Sequence, residues 1–351
     1  MKRLIALIAL LGIGAAILNG CSIEKPVEAK RVNLLVTVEG KVQLKRDGWK
    51  AYVPVGFGTV VYPTDLLKVE GKASVLCADL SIKSLERGRC PCPTDRGWLE
   101  YQGARFSSRP RSAPSDVPYI LYPRNTMVLE SRPLLRWHVT GVTSYTVSIV
   151  RDGQVVWSQP NVIGDGIRYP DDAPSLQSGA DYLLVVRDNA TLRVSTEDPM
   201  KGLGFRSIDD ANRRVVMQRR DAILALDTLE KPARQMALAV YYIGLNLEDE
   251  RGLWSEAWQL LESVAQAQNA PAVYLRTGDV LLATKLSDEA KAAYQTALRN
   301  AESMDDMESQ AAAHVGLWQV TGDTVYLDRA VALYDALGDK MAETLRKERQ
   351  P

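Results

Sequence analysis

The hydrophobic period of this chain changes once along its length, near Phe205. Before that point, short apolar runs alternate with polar residues and end at glycine, proline or aspartate, as in Ala73–Ile82. Such alternation predicts β-strands with one buried face. After it, apolar residues recur at helical spacing, beginning with Ile208–Leu229. Because strands and helices in separate blocks form separate units, the 351 residues predict a multidomain chain, all-β at its N-terminal side and all-α at its C-terminal side.

Residues 31–105 contain several short strand patterns that predict an all-β domain. In their order, the turn and strand signals resemble those of a FecR-type periplasmic domain. The matching segments are Gly40-Lys41-Val42, Val55-Gly56, Asp65-Leu66-Leu67 and Gly71-Lys72-Ala73-Ser74-Val75-Leu76. The resemblance implies a β domain for recognition or assembly. Sigma-factor regulators of that family also carry a transmembrane helix and a cytoplasmic tail, and this sequence shows neither pattern.

A second β unit is predicted at residues 119–197, after a linker at 106–118 that is rich in proline and serine. Trp137 lies in an early strand pattern and Tyr182 in a late one. These two positions resemble core aromatic residues of fibronectin type III or immunoglobulin-like domains, which implies a β-sandwich. We expect both aromatic side chains to pack in the core rather than to contact a ligand.

Residues 205–349 predict a stack of helical hairpins. Counted from Pro271, one unit places its apolar residues at the spacing of a tetratricopeptide repeat, which it resembles. Looser copies lie upstream and downstream of this unit. The central residues are Tyr274, Gly278, Leu281, Ala290, Tyr294 and Ala297, and the flanking ones are Gly244, Ala257, Leu261 and Val264, then Gly316, Ala330, Tyr334 and Leu337. Three such units are about the minimum for a stable stack, so we expect an all-α helical-repeat domain.

The tetratricopeptide resemblance implies a concave groove, lined by the first helix of each hairpin, that binds a partner protein. The candidate groove residues are Tyr241, Leu245, Leu275, Asp279 and Leu282. Leu275 and Asp279 stand where a basic clamp for a C-terminal carboxylate would have its lysine and asparagine. The groove therefore suits a helix or an extended peptide. In the alternative interpretation, Leu275 and Leu282 pack on the neighbouring hairpin and contact no partner.

The N-terminal residues predict secretion and a lipid anchor. Lys2 and Arg3 precede the apolar run Leu4–Leu18, as in a signal peptide. The following residues, which end in Cys21, resemble the lipobox of bacterial lipoproteins. The resemblance implies a signal peptide at residues 1–20, lipid on Cys21 and a tether at residues 21–30. Ser22 in place of aspartate favours the outer membrane, facing the periplasm, in a host with two membranes.

The remaining cysteines predict a structural disulfide, since the compartments reached by secretion are oxidising. Cys77 pairs with either Cys90 or Cys92 in this interpretation, and one thiol is left over. Alternatively, Cys90 and Cys92 form a redox or metal pair. A metal would need more ligands, and the two histidines of the chain, His138 and His314, are distant in sequence.

Charge and motif content argue against nucleic-acid binding and catalysis. The chain has 43 basic and 43 acidic residues, so its formal net charge is zero. The cluster Arg213, Arg214, Arg219 and Arg220 is interpreted as a solvated helix face. The sequence contains no phosphate-binding loop, nucleophile elbow, zinc cluster or dinucleotide fingerprint. We therefore expect no metal, no cofactor, no small-molecule substrate and no enzymatic activity.

Two functional hypotheses follow from these modules. The first is a lipid-anchored, non-enzymatic adaptor or scaffold of the cell envelope that binds a partner protein through its helical repeats. The second is an envelope ligand or stress sensor that acts through the FecR-like domain together with a separate transmembrane partner. A thiol-active enzyme that uses Cys90 and Cys92 is a third hypothesis.

Overall fold

The computed structural model describes residues 32–93, 114–200, 203–245, 247 and 251–349. The predicted signal peptide, Cys21, the tether and residues 106–113 of the predicted linker lie outside these ranges. Within them, β-sheets occupy residues 33–207, and eight helices follow that pack as consecutive pairs. The predicted fold class is confirmed: all-β N-terminal sheet, β-sandwich and all-α region follow one another along the chain.

The first sheet belongs to residues 33–93, here called the β module. Its strands are β1 (Asn33–Lys45), β2 (Val53–Val55), β3 (Val60–Val61), β4 (Leu66–Leu76), β5 (Ile82–Ser84) and β6 (Gly88–Arg89). All pairings are antiparallel in the order β2-β1-β4-β5, with β3 added to β1 and β6 to β4. Gly40 of β1 lies opposite Gly71 of β4, at φ angles of 108° and 112°. A Cβ on either would collide with a carbonyl oxygen of the other strand, so this close approach requires glycine.

The β-sandwich has a five-stranded sheet of order β11-β10-β13-β14-β8 and a three-stranded sheet of order β12-β9-β7. Its strands are β7 (Ile120–Tyr122), β8 (Thr126–Val128), β9 (Leu134–Trp137), β10 (Tyr145–Arg151), β11 (Gln154–Val162), β12 (Gly166–Arg168), β13 (Asp181–Asp188) and β14 (Phe205–Ser207). Trp137 and Tyr182 are both buried in the core between the sheets, as expected. The hydroxyl of Tyr182 accepts a hydrogen bond from the main chain of Gln177 at 2.7 Å, which satisfies its polar end. Phe205 belongs to the last strand, which pairs in parallel with β8, so the helices begin a few residues later.

The helices are α1 (Asp210–Leu224), α2 (Lys231–Ile243), α3 (Trp254–Ala265), α4 (Pro271–Ala283), α5 (Ser287–Ser303), α6 (Met307–Thr321), α7 (Thr324–Leu337) and α8 (Met341–Glu348). Asp209 and Asp306 cap α1 and α6 by accepting main-chain hydrogen bonds, which is the role expected of acidic residues at helix starts. In the central pair, Tyr294 lies against Gly278 of α4 and Gly316 of α6. A Cβ on Gly278 would lie 2.5 Å from the tyrosine ring. The small residues of the repeat pattern therefore make room for this ring.

Candidate functional site

The β module packs against the first helices of the helical pairs. We call the face formed by α2, α4 and α6 the repeat groove. The turn between β2 and β3 places Gly58 so close that a Cβ on it would lie 2.8 Å from Met236 Cε and 3.2 Å from Ala272 Cβ. Phe57, in the same turn, is 8% exposed and belongs to the buried cluster that contains both residues. The chain itself thus fills much of the face that the sequence predicted as a partner groove.

Arg46, which directly follows β1, joins the β module to α6. Its Nε and Nη2 donate to Glu308 Oε1 at 2.9 and 2.5 Å, and its Nη1 donates to Asp65 Oδ2 at 3.0 Å. Burial by itself would lower the pKa of Arg46, but Glu308 and Asp65 raise it above its usual value. Burial raises the pKa of Asp65 to about 6, although Arg46 opposes this shift. The network is therefore a buried ion cluster between modules, in which loss of one partner would leave an uncompensated charge.

A second group of contacts holds the β1–β2 turn against the turn between α7 and α8. Trp49 Nε1 donates to Asp339 Oδ2 at 2.7 Å, and the main-chain N–H of Lys50 donates to the Leu337 carbonyl at 2.7 Å. Gly338, at φ 83°, ends α7 in the left-handed conformation. A Cβ there would lie 2.9 Å from the Gly48 carbonyl oxygen. Glycine is therefore required both by the helix end and by this contact.

Three of the four arginines of the α1 cluster contact the β-sheets, so the interpretation as a solvated helix face was wrong for them, whereas Arg214 is exposed as expected. Arg213 Nη1 donates to the carbonyl of Leu129, in the β-sandwich. Arg219 Nη2 donates to the carbonyl of Ala78 in the β module at 2.6 Å, and Arg220 bonds Glu130 at 3.1 Å. The sequence pattern shows that α1 has basic faces. It does not show which carbonyl groups the fold brings next to those faces.

The β-sandwich is fastened to the repeats by buried polar contacts as well. Arg124, 1% exposed, forms an ion pair with Asp198 at 2.7 Å and donates through Nε to the Thr284 carbonyl at 2.8 Å. That carbonyl lies at the C-terminal end of α4, where a cation is favourable. Tyr122 donates to Glu262 of α3 at 2.7 Å. The three parts are therefore fixed to one another around the repeats.

A cavity of about 190 Å³ remains between the β module and the repeat groove. We call it the composite cavity, because α4, α6 and α8 form one side and the β module forms the other. A single enclosed water requires only roughly 10–15 Å³, so the cavity is an order of magnitude larger than a water site. Its apolar lining includes Val60, Ala272, Leu275, Ala312, Val315, Met341 and Leu345, and its polar lining includes Arg46, Thr59, Arg276, Asp279, Glu308, Gln319 and Glu348.

The structure places the five candidate groove residues in two overlapping sets. Leu275 and Asp279 line the composite cavity. Leu245 and Leu282 are 5% and 2% exposed and pack in the apolar cluster that joins the repeats to the β module, and Tyr241 packs half-buried against it. Leu275, 8% exposed, belongs to the same cluster and also borders the cavity.

The cysteines form one disulfide, Cys77–Cys92, with 5.4 Å between the Cα atoms. Cys90 is a buried free thiol, and burial raises its pKa. A disulfide of this kind indicates an oxidising, extracytoplasmic compartment. His314 is buried on α6, where burial lowers its pKa, and His138 stacks on Tyr119 with 4.6 Å between ring centroids. Neither histidine lines the composite cavity.

Sequence reasoning missed the cavity residues contributed by α6 and by the β module. The stripe Ala272, Leu275 and Asp279 on α4 recurs on α6 as Ser309, Ala312 and Gly316, and extending it by one turn reaches Gln319. The repeat spacing could therefore have identified Gln319. The contribution of Thr59 could not be found in this way, because it depends on how the β module docks.

Comparison with known protein families finds no matching family, and no curated protein matches the chain either. Within the described residues, no helix is long and apolar enough to span a membrane. In the same part of the chain, no group of three or more histidine, cysteine, aspartate or glutamate side chains is arranged to hold a metal ion.

Proposed function

We propose that this protein is a lipid-anchored, non-enzymatic adaptor of the cell envelope that holds a segment of a partner protein in the composite cavity. The observation that carries the proposal is the cavity itself, which lies where helical repeats bind partners in the resemblance noted above. One wall is aliphatic, with Leu275 and Val315, while polar groups stand beside it. A concave site with this mixture of surfaces suits binding.

The cavity is small compared with the roughly 300–1,000 Å³ that enclose drug-sized ligands. It has room for one or two side chains of a partner. The walls are held by the Arg46 ion cluster on one side and by the packing of Tyr294 between the repeat helices on the other. A preformed site of this kind lowers the entropy lost on binding.

Anchoring at Cys21 is part of the proposal, with the outer membrane as the expected site in a host with two membranes. The disulfide Cys77–Cys92 supports an extracytoplasmic position. Metabolic labelling with a clickable fatty acid tests the anchor. The wild-type chain should incorporate the label and partition into detergent, and Cys21→Ser should do neither. Labelling of Cys21→Ser at the wild-type level would contradict the anchor.

The adaptor role can be tested by filling the cavity. Ala312 lines it, whereas Ala292 is exposed on α5, so Ala312→Phe and Ala292→Phe form a matched pair. Each variant is used to capture envelope proteins after chemical cross-linking, and adducts are identified by mass spectrometry. A specific partner should be captured by the wild type and by Ala292→Phe, and lost with Ala312→Phe. Equal capture by both variants would contradict a partner site in the cavity.

The sensor hypothesis is favoured by one observation, the direct contact of the β module with α6 through Arg46 and Glu308. A ligand on the β module would affect the repeats through this contact. In that case, ligand binding measured on the full chain should persist in Ala312→Phe. Hydrogen exchange should then slow in the β module, rather than along α6.

A further inference from the structure

The composite cavity is lined by two neutral polar side chains, one from the β module and one from the repeats. Thr59 of the β module is 9% exposed, and Gln319 of α6 is half-buried. Among the described residues, neither the Thr59 hydroxyl nor the Gln319 amide has a hydrogen-bond partner. Each group can both donate and accept. Because both groups line the accessible space of the cavity and no other described side chain uses them, they are where a ligand would exchange hydrogen bonds with the protein.

The charged groups around them are already engaged with one another. The guanidinium of Arg46 is used by Glu308, Asp65 and the Val60 carbonyl, and Arg276 forms an ion pair with Asp279 at 3.0 Å. The lining holds two arginines, Arg46 and Arg276, against three carboxylates, Asp279, Glu308 and Glu348, which leaves one negative charge. An acidic ligand would meet like charge and no available cation, so the site disfavours it.

The apolar wall is mainly aliphatic and is supplied by Leu275, Val315, Met341 and Leu345. Two tyrosines also line the cavity, and one of them, Tyr334, is 9% exposed. The ring of Tyr62 is covered by the Arg46 guanidinium, 4.1 Å from its centroid. Sugars are commonly held on free aromatic faces, whereas an aliphatic side chain gains most from a wall of this kind. The size of the cavity allows for one such side chain with its main chain beside it.

We propose that the composite cavity binds an uncharged, extended peptide segment through one aliphatic side chain, with Gln319 and Thr59 hydrogen-bonding its main-chain amides. The segment is extended because the N–H and C=O groups within a helix already bond one another. This inference rests on the proposed function and names the chemistry of the partner segment. It also explains why both modules are needed: Thr59 comes from one and Gln319 from the other.

The inference can be tested without a known partner, by titrating the protein with single amino acids blocked at both ends and with a disaccharide. The full chain is labelled with ¹³C at the methionine methyl groups, so that Met341 reports on the cavity and Met127, buried in strand β8 of the β-sandwich, serves as reference. The probes are N-acetyl-leucine N-methylamide, N-acetyl-glutamate N-methylamide and diacetylchitobiose. The leucine probe should shift the Met341 signal saturably, with a dissociation constant on the order of 1 mM. The glutamate probe should bind at least about tenfold more weakly.

Variants assign the contacts. Gln319→Ala should lower the affinity for the leucine probe about fivefold, which is the effect of losing one hydrogen bond. Gln154→Ala, on the exposed strand β11, should leave the affinity for the leucine probe unchanged. No saturable Met341 shift, equal binding of the glutamate probe, preference for the disaccharide, or the same effect from both glutamine variants would each overturn the inference. The adaptor role is judged separately by the Ala312→Phe capture, which can succeed even when this titration fails.

Discussion

Replacing Arg46 by methionine should destabilise the protein strongly at pH 8, because the carboxylate of Asp65 would stay buried without its cation. Asp65 is fully buried, and its Oδ1 already has no hydrogen-bond partner in the described part of the chain. Removing one member of a buried ion pair costs about 3–5 kcal/mol. Unfolding in urea, followed by tryptophan fluorescence and by circular dichroism at 222 nm, gives the loss directly when the two transitions coincide.

A second substitution separates the charge from the packing of Arg46. Asp65→Asn in the Arg46→Met background removes the stranded carboxylate and should restore at least about 1 kcal/mol of the loss. The cost of Arg46→Met alone should also shrink at pH 5, because burial raises the pKa of Asp65 to about 6 even beside Arg46, so Asp65 is protonated at pH 5 in both proteins and the wild type also lacks the ion pair. A loss below about 1 kcal/mol at pH 8, or a double variant less stable than Arg46→Met, would refute a buried ion cluster at this interface.

Three further outcomes are expected from urea unfolding. Burial raises the pKa of Glu256 in the folded protein to about 7, above its unfolded value of about 4.3. Protonation of Glu256 therefore stabilises the folded state at low pH, and this stabilisation is lost as pH rises through 7. From pH 8 to pH 6 the wild type should gain about 1.4 kcal/mol relative to Glu256→Gln, and parallel pH profiles would contradict this. Gly278→Ala should cost about 1–2 kcal/mol despite its better helix propensity, because the new Cβ would meet the Tyr294 ring, and a gain in stability would show that the ring has space. Reducing the bond between Cys77 and Cys92, 15 residues apart, should lower the free energy of unfolding by about 3 kcal/mol, and an unchanged urea midpoint would contradict that role.

Periodicity predicted the parts of the fold that depend on local burial. The alternation of the early segments and the spacing of Gly278, Tyr294 and Gly316 were sufficient to predict sheets followed by paired helices, because each pattern describes one buried face. The docking of the parts was not predictable in the same way. Leu275 has the same apolar pattern whether a partner or the chain's own β module covers it, and Arg219 has the same helical position whether it faces water or the Ala78 carbonyl.

The candidate site depends on that docking, which explains how much of it could be found. Leu275 and Asp279 were identified from the central repeat and do line the composite cavity. Thr59 and Arg46 lie more than 200 positions away in the sequence from the helices they face. No local pattern relates them to the repeats, and only the packing of the turn at Gly58 against Met236 brings them there.

Site-specific photo-cross-linking in living cells tests most directly the claim that the composite cavity holds a partner protein. A photoreactive amino acid at Gln319 lies at the cavity, and the same residue at Gln154 lies on the exposed strand β11. We expect irradiation to give one discrete adduct from position 319, containing a single envelope protein, and no such adduct from position 154. The same adduct pattern from both positions, or no adduct from position 319, would contradict the proposed partner site.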